Sequence, residues 1–174
     1  MRLAGIFPFE NATSYAYFRE GGLLQELIHL LKYSGKEKIG HWFGERLGLA
    51  IQAVGWQPNV VMPVPLHKRR QAKRGFNQSE SISIGIGQAL NIPVVTNALL
   101  RVKNTHTQTD KTREERLKNV EGAFSLQNPE NLEGKHVLLI DDVLTTGATI
   151  ESVAKEVHKV HSIRISVATI GLVT

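Results

Sequence analysis

The chain has no cysteine, only two methionines and two tryptophans, and aromatic residues make up 6% of its 174 positions. Without thiols there can be no disulfide, no cysteine-ligated zinc and no cysteine nucleophile, and the composition fits a reducing compartment. No apolar run reaches membrane-spanning length. The start, Met1-Arg-Leu-Ala-Gly-Ile-Phe-Pro8, has too short an apolar stretch for a secretory signal. The chain therefore reads as soluble and cytoplasmic, with no membrane association. Several nucleotide and hydrolase motifs are also missing. Gly85-Ile-Gly87 has Leu90 where a dinucleotide fingerprint needs its third glycine, and it falls inside a predicted helix. Gly35-Lys36 runs into Glu37 and lacks the rest of a P-loop, and no Gly-x-Ser-x-Gly elbow occurs.

The 41% hydrophobic content is enough for one good core, so a single α/β domain with a small appendage is expected. Residues 1–20 show no period and read as a loosely attached arm. Leu23, Leu24, Leu27, Ile28, Leu30 and Leu31 are spaced as one helix face, stopped at Ser34-Gly35. A second helix follows, with Ile39, Trp42, Phe43, Leu47 and Ala50 on one side, and ends by Gly55 to Pro58. Then come a strand at 60–63, a basic loop at 67–74, a helix from Asn77 to Leu90, a strand at 92–95 and a polar, turn-prone stretch at 103–118. A strand at 136–140, a helix from Thr149 to Val160 and a strand at 164–170 complete a β-α-β unit. The alternation predicts a parallel sheet with right-handed crossovers.

The richest stretch is Val137-Leu-Leu-Ile-Asp-Asp-Val-Leu-Thr-Thr-Gly-Ala-Thr149. A short, wholly apolar strand suits the centre of a parallel sheet, and ligands bind beyond the carboxyl ends of such strands. Asp141 and Asp142 offer carboxylates for ribose hydroxyls or for Mg²⁺, a hard cation that takes oxygen ligands. Thr145, Thr146, Gly147, Ala148 and Thr149 then place hydroxyls, free N–H groups and a helix N-terminus where a phosphate would sit. The net charge of +5 is concentrated in two segments. His67-Lys-Arg-Arg-Gln-Ala-Lys-Arg74 is basic without an acid, and Arg101 to Lys118 mixes Arg101, Lys103, Lys111, Arg113, Arg116 and Lys118 with three acids. Either can attract a polyanionic small molecule or nucleic acid, and a solvated surface is the plainer reading.

Ile140 to Thr149 resembles the signature of type I phosphoribosyltransferases, whose common ligand is 5-phosphoribosyl-1-pyrophosphate (PRPP). Leu30-Leu-Lys-Tyr-Ser-Gly35, Val64-Pro-Leu-His67, Arg70 and Arg74-Gly-Phe-Asn-Gln-Ser79 are similar to the ComF/GntX branch of that superfamily, which is linked to bacterial competence and DNA uptake. The resemblance runs from about Leu23 to the C-terminus. It implies a parallel sheet flanked by helices (residues 56–174) with a helical hood or accessory arm (residues 1–55). It implies Mg²⁺-dependent transfer of phosphoribosyl to an unknown acceptor, with release of pyrophosphate, a chemistry of nucleoside metabolism. Asp141 and Asp142 would hold the ribose and the metal, in part through water, and Thr145 to Thr149 the 5′-phosphate. Pro63, Val64 and Pro65 would wall the pyrophosphate loop, with Lys68, Arg69, Arg70 and Arg74 as charge partners. Gln108, Lys111, Arg113 and Arg116 would belong to a mobile loop that closes over the ligand. ComF-type proteins usually begin with a cysteine-rich zinc-binding segment. In this chain that module is either lost or lies ahead of the first residue. A second reading makes the protein a non-catalytic PRPP-sensing or scaffold module working through a partner such as a helicase of the competence machinery. Direct single-strand nucleic-acid binding ranks last, because only Phe76 lies near the basic segment to stack a base. The oligomeric state stays open, a homodimer among the options.

Overall fold

The computed structural model describes residues 7–105 and, apart from the Arg113 side chain, 113–173. In chain order the elements are β1 (Asn11–Phe18), α1 (Leu23–Tyr33), α2 (Glu37–Ala53), β2 (Val60–Pro63), α3 (Lys68–Arg74), α4 (Gln78–Leu90), β3 (Leu99–Arg101), α5 (Arg113–Val120), β4 (Phe124–Leu126), a 3₁₀ turn (Pro129–Leu132), β5 (His136–Leu144), α6 (Ala148–Val157) and β6 (Arg164–Val173). The main sheet has the order β1-β6-β5-β2, parallel throughout, and β3 and β4 form a separate antiparallel ribbon.

The alternation of side chains along β5 explains the layers. Val137 and Leu139 face a core shared with α6, the ribbon and Val120 of α5, whereas Leu138 and Ile140 face one built from α1, α2 and α4. A strand covered on both faces has no polar side to show, so its sequence is continuously apolar. Buried His136 anchors the start of the strand: its Nε2 lies 2.8 Å from Ser166 Oγ and its Nδ1 3.2 Å from the Gln57 carbonyl oxygen.

Helices α2 and α4 are held against each other by glycine. A Cβ at Gly44 would collide with the Ile82 carbonyl oxygen, and one at Gly85 with that of His41. Gly85, in a string that superficially suggests a nucleotide motif, thus lets two backbones touch. Asn77 caps α4, accepting from the Ser79 N–H at 3.2 Å, while its Nδ2 donates to the Val64 carbonyl at 3.0 Å. That bond ties the start of α4 to the turn after β2, so both arrive together at the carboxyl end of the sheet.

Several expectations need correction. The segment read as a loose arm contains β1, an edge strand paired with β6 from Asn11↔Ser166 to Phe18↔Val173 and tied by Ser14 Oγ to Thr169 Oγ1 at 2.9 Å. Its first half, Asn-Ala-Thr-Ser14, carries no strong apolar alternation, so the sheet supplies what local pattern does not. The 67–74 segment is helical rather than a loop: His67 Nδ1 accepts from the Arg69 N–H, and Gly75 (φ 87°) ends the helix. The strand expected at 92–95 reduces to a single bridge, Val61↔Val94. Pro93 has no N–H with which to extend a ladder. From Arg113 onward the expected turn-prone stretch is α5, with Leu117 and Val120 packed on the core and Ser152 Oγ donating to the Val120 carbonyl at 2.7 Å. Helix α6 ends at Val157, not Val160, and β5 and β6 run to Leu144 and Val173, each beyond its expected end.

Candidate functional site

A cavity of about 370 Å³ opens at the carboxyl ends of β2 and β5, between the starts of α4 and α6. Three groups of side chains meet in it. The first is acidic. Asp141 and Asp142 are partly buried on consecutive positions of β5. Asp141 Oδ1 accepts from the Asp142 N–H at 2.9 Å and from Ser79 Oγ at 3.3 Å, and Asp142 Oδ2 lies 2.6 Å from Lys32 Nζ of α1. Burial, and next the neighbouring Asp142 charge, push the Asp141 carboxyl from its ordinary value of 3.8 up to about 7, against the pull of the Asp142 N–H, Lys32 and Ser79. Such a carboxyl is poised to gain a cation or hydroxyl partner.

The second group follows β5 directly. Thr145, Thr146, Gly147, Ala148 and Thr149 turn from the strand into α6, with Gly147 at φ 82° as the residue before the helix. An L side chain is strained at that angle, so glycine makes the tight turn that starts α6 at the cavity wall. Arg116 of α5 reaches this loop, its Nη1 donating to Thr145 Oγ1 at 3.3 Å.

The third group is cationic. Arg70 and Arg74, one helical turn apart on α3, line the opposite wall with Val64, Pro65 and Leu66. Arg74 Nη1 donates to Gln78 Oε1 at 2.8 Å, and its guanidinium sits 5.5 Å from the Tyr33 ring centre. Arg101, at the end of β3, also lines the cavity, over the Phe124 ring at 5.2 Å. The Arg70 and Arg101 Nη2 atoms converge on Thr105, one donating to its carbonyl and the other to its hydroxyl. Burial first, then the charge of a neighbouring arginine, lowers the proton affinity of both guanidiniums below the ordinary value. The Arg101 Nε is buried with no hydrogen-bond partner among the described residues. Two cations forced together, one with an unsatisfied buried donor, form a cradle for an anion.

The profile of the Phosphoribosyl transferase domain family matches residues 67–171, a span that holds all three groups apart from Lys32 and the Val64–Leu66 wall. The chain belongs to this family. Among curated proteins it is similar to Competence protein F of Haemophilus influenzae, 39% identical over 103 residues, covering 59% of this chain and 45% of that protein. It is also similar to the DNA utilization protein YhgH of Escherichia coli, 34% identical over 137 residues, covering 76% of this chain and 60% of that one. The chain thus spans about half of these relatives' length, and the likeness marks it as a ComF-type member. Its fold is similar to that of adenine phosphoribosyltransferase from Leishmania tarentolae, with a TM-score of 0.50 at 12% identity, covering 95% of this chain and 94% of that one.

In this phosphoribosyl transferase domain the residues singled out from the sequence divide cleanly by position. Asp141, Asp142, Thr145 to Thr149, Val64, Pro65, Arg70, Arg74 and Arg116 line one cavity. Pro63 is buried at the end of β2 behind it, and Lys68 and Arg69 are exposed on the part of α3 outside it. Gln108 and Lys111 lie outside the described residues, as does the side chain of Arg113. The cavity also includes Lys32, Ser79, Arg101, Thr105 and Asn119, none of which stands out singly. Lys32 and Ser79 do fall within two of the short strings that resemble the ComF branch, and Arg101 opens the second basic segment. No described helix is long and apolar enough to cross a membrane.

Proposed function

We propose that the cavity binds PRPP and transfers its phosphoribosyl group to an acceptor, releasing pyrophosphate. The observation that carries this reading is the convergence, on one cavity of about 370 Å³, of an acidic pair, a glycine-turned phosphate loop and a group of half-buried arginines. Thr145 to Thr149 hold the 5′-phosphate, Asp141 and Asp142 take the ribose hydroxyls, and Arg70, Arg74 and Arg101 face the pyrophosphate. Lys68 and Arg69 contribute to the field at the entrance, and the Val64-Pro65 wall leads into α3, which carries them.

The oxygen donors suit Mg²⁺. Among the described residues no cluster of three histidines, cysteines or acids could cage a metal, but two adjacent carboxylates completed by ligand phosphate oxygens are the usual Mg²⁺ arrangement. When bound, the ion would neutralise charge building on the pyrophosphate. The chain's own residues do the rest. The Thr145–Thr149 loop and the arginine wall fix both ends of the ligand, so the anomeric carbon lies between them. The ionised Asp141–Asp142 pair stabilises positive charge developing on the ribose, and the guanidiniums stabilise the leaving group. Arg116 of α5, whose Nη1 donates to Thr145 Oγ1, adds a cation beside the phosphate loop. Helices α1 and α2 serve as the accessory layer, since α1 delivers Lys32 to Asp142.

The names of the curated relatives speak of competence and DNA utilization, and we place this activity or its PRPP-sensing counterpart in the handling of imported DNA in the cytoplasm. In the sensing version the same cavity signals through a helicase-type partner. The test is the double variant Asp141→Asn with Asp142→Asn. It should keep its far-ultraviolet circular dichroism and lose PRPP binding by about a hundredfold or more, each lost charge-assisted contact costing about 1.5–3 kcal/mol. Unchanged affinity would remove the acidic pair from the site.

A further inference from the structure

A second cavity, of about 380 Å³, adjoins the first and shares Lys32, Arg70 and Arg74 with it; Tyr33 and Lys73 belong to the second alone. Four of its five lining residues are cations and none is an acid. Lys32 is engaged by Asp142, which leaves three guanidinium or ammonium groups facing a common space. Helix α3 gains nothing internal from this arrangement. Its seven residues include five cations, no buried side chain and two like-charged pairs one turn apart, Arg69 with Lys73 and Arg70 with Arg74. Such pairs destabilise a helix. The proton affinity of Arg70 is lowered by burial and then by Arg74, so the charges are felt where they stand. Tyr33 is exposed at the rim, and its ring holds the Arg74 guanidinium between the two cavities. The cationic surface therefore continues past the end of a pyrophosphate-sized ligand without a break in sign.

We propose that the two cavities together bind a linear oligophosphate of three or more phosphates, its outer phosphates resting on Lys73 and Arg74 beside Tyr33. A compound carrying such a chain would compete with PRPP and regulate the site. A separate anion in the second cavity would be repelled by pyrophosphate in the first, whereas linked phosphates bring their charges in one ligand and one loss of translational freedom. This inference rests on the reading of Arg70 and Arg74 as the pyrophosphate end of the first cavity.

Calorimetric titration with inorganic pyrophosphate and inorganic tripolyphosphate, free of divalent metal and at fixed ionic strength, tests it. The unaltered chain should bind tripolyphosphate about tenfold more tightly than pyrophosphate. Lys73→Ala, a change at an exposed position, should erase most of that gap and leave pyrophosphate and PRPP within about twofold of their original affinities. Tyr33→Leu should narrow the gap by releasing Arg74. Equal affinity for the two anions, no binding of either, or a Lys73→Ala loss shared equally by both would overturn the proposal. The Asp141→Asn, Asp142→Asn double variant separates the two claims. If it still binds PRPP while Lys73→Ala removes the chain-length preference, the ribose assignment fails and the oligophosphate site stands. If it loses PRPP and no chain-length preference exists, the reverse holds.

Discussion

At the scale of single residues, Asp141 sets the terms. Its folded-state value of about 7 lies above the ordinary 3.8, so between these values the folded chain keeps a proton that the unfolded chain has lost. Stability from this group is full below about pH 4 and falls as pH rises through the window up to about 7. Asp141→Asn should therefore match the unaltered protein near pH 4 and become the more stable at pH 7 and above, by about 1 kcal/mol or more, roughly 2–4 °C in thermal midpoint. Melting curves taken from pH 4 to 8 check this, and a gap that narrows with rising pH would refute it. Ligand affinity should move the other way under the proposed function, in which the ionised carboxylate accepts the ribose hydroxyls: PRPP binding should strengthen from pH 6 to 8. Arg101 has a related character. A buried guanidinium with an unpartnered Nε contributes little to the ligand-free fold. Arg101→Met should cost less than about 1 kcal/mol by denaturant titration yet weaken PRPP by about tenfold or more.

At the scale of elements, the contact between α2 and α4 is a backbone contact made at Gly44 and Gly85, with no slack for a methyl group. Gly85→Ala should destabilise the chain by about 1–3 kcal/mol, read from the denaturant midpoint, with PRPP affinity preserved in the fraction that stays folded. What local sequence reveals differs among elements for physical reasons. Helices α1, α2 and α4 and strands β2, β5 and β6 are legible because burial imposes a period or a continuous apolar run. Strand β1 is not, since the edge strand Asn-Ala-Thr-Ser-Tyr-Ala-Tyr-Phe is chosen by its partner β6. Nor is α3, a helix with no buried face, held by His67, the Arg70 bond to Thr105 and the Arg74 bond to Gln78. The β3–β4 ribbon has three residues per strand, too few for a pattern.

At the scale of the whole molecule, the parallel order β1-β6-β5-β2 brings the ends of β2 and β5 side by side, so residues as far apart in sequence as Lys32 and Asp142 face one cavity. The half of the site that lies on one continuous stretch, Asp141 to Thr149, can be read from the chain. The parts supplied from a distance, Lys32 from α1, Ser79 from α4 and Arg101 from β3, become visible only when the sheet and its flanking layers assemble. That assembly also gives the net charge of +5 a direction, since the cavity wall opposite the acidic pair is lined by Arg70, Arg74 and Arg101. Under the proposed function, acid pair, phosphate loop and arginine wall act together on one ligand. Calorimetric titration with PRPP, with and without Mg²⁺ and with ribose 5-phosphate as control, tests it most directly. Mg²⁺-dependent binding of PRPP should be at least about a hundredfold tighter than that of ribose 5-phosphate, because only PRPP would span both ends of the cavity. Equal affinities, or no binding of PRPP, would contradict it.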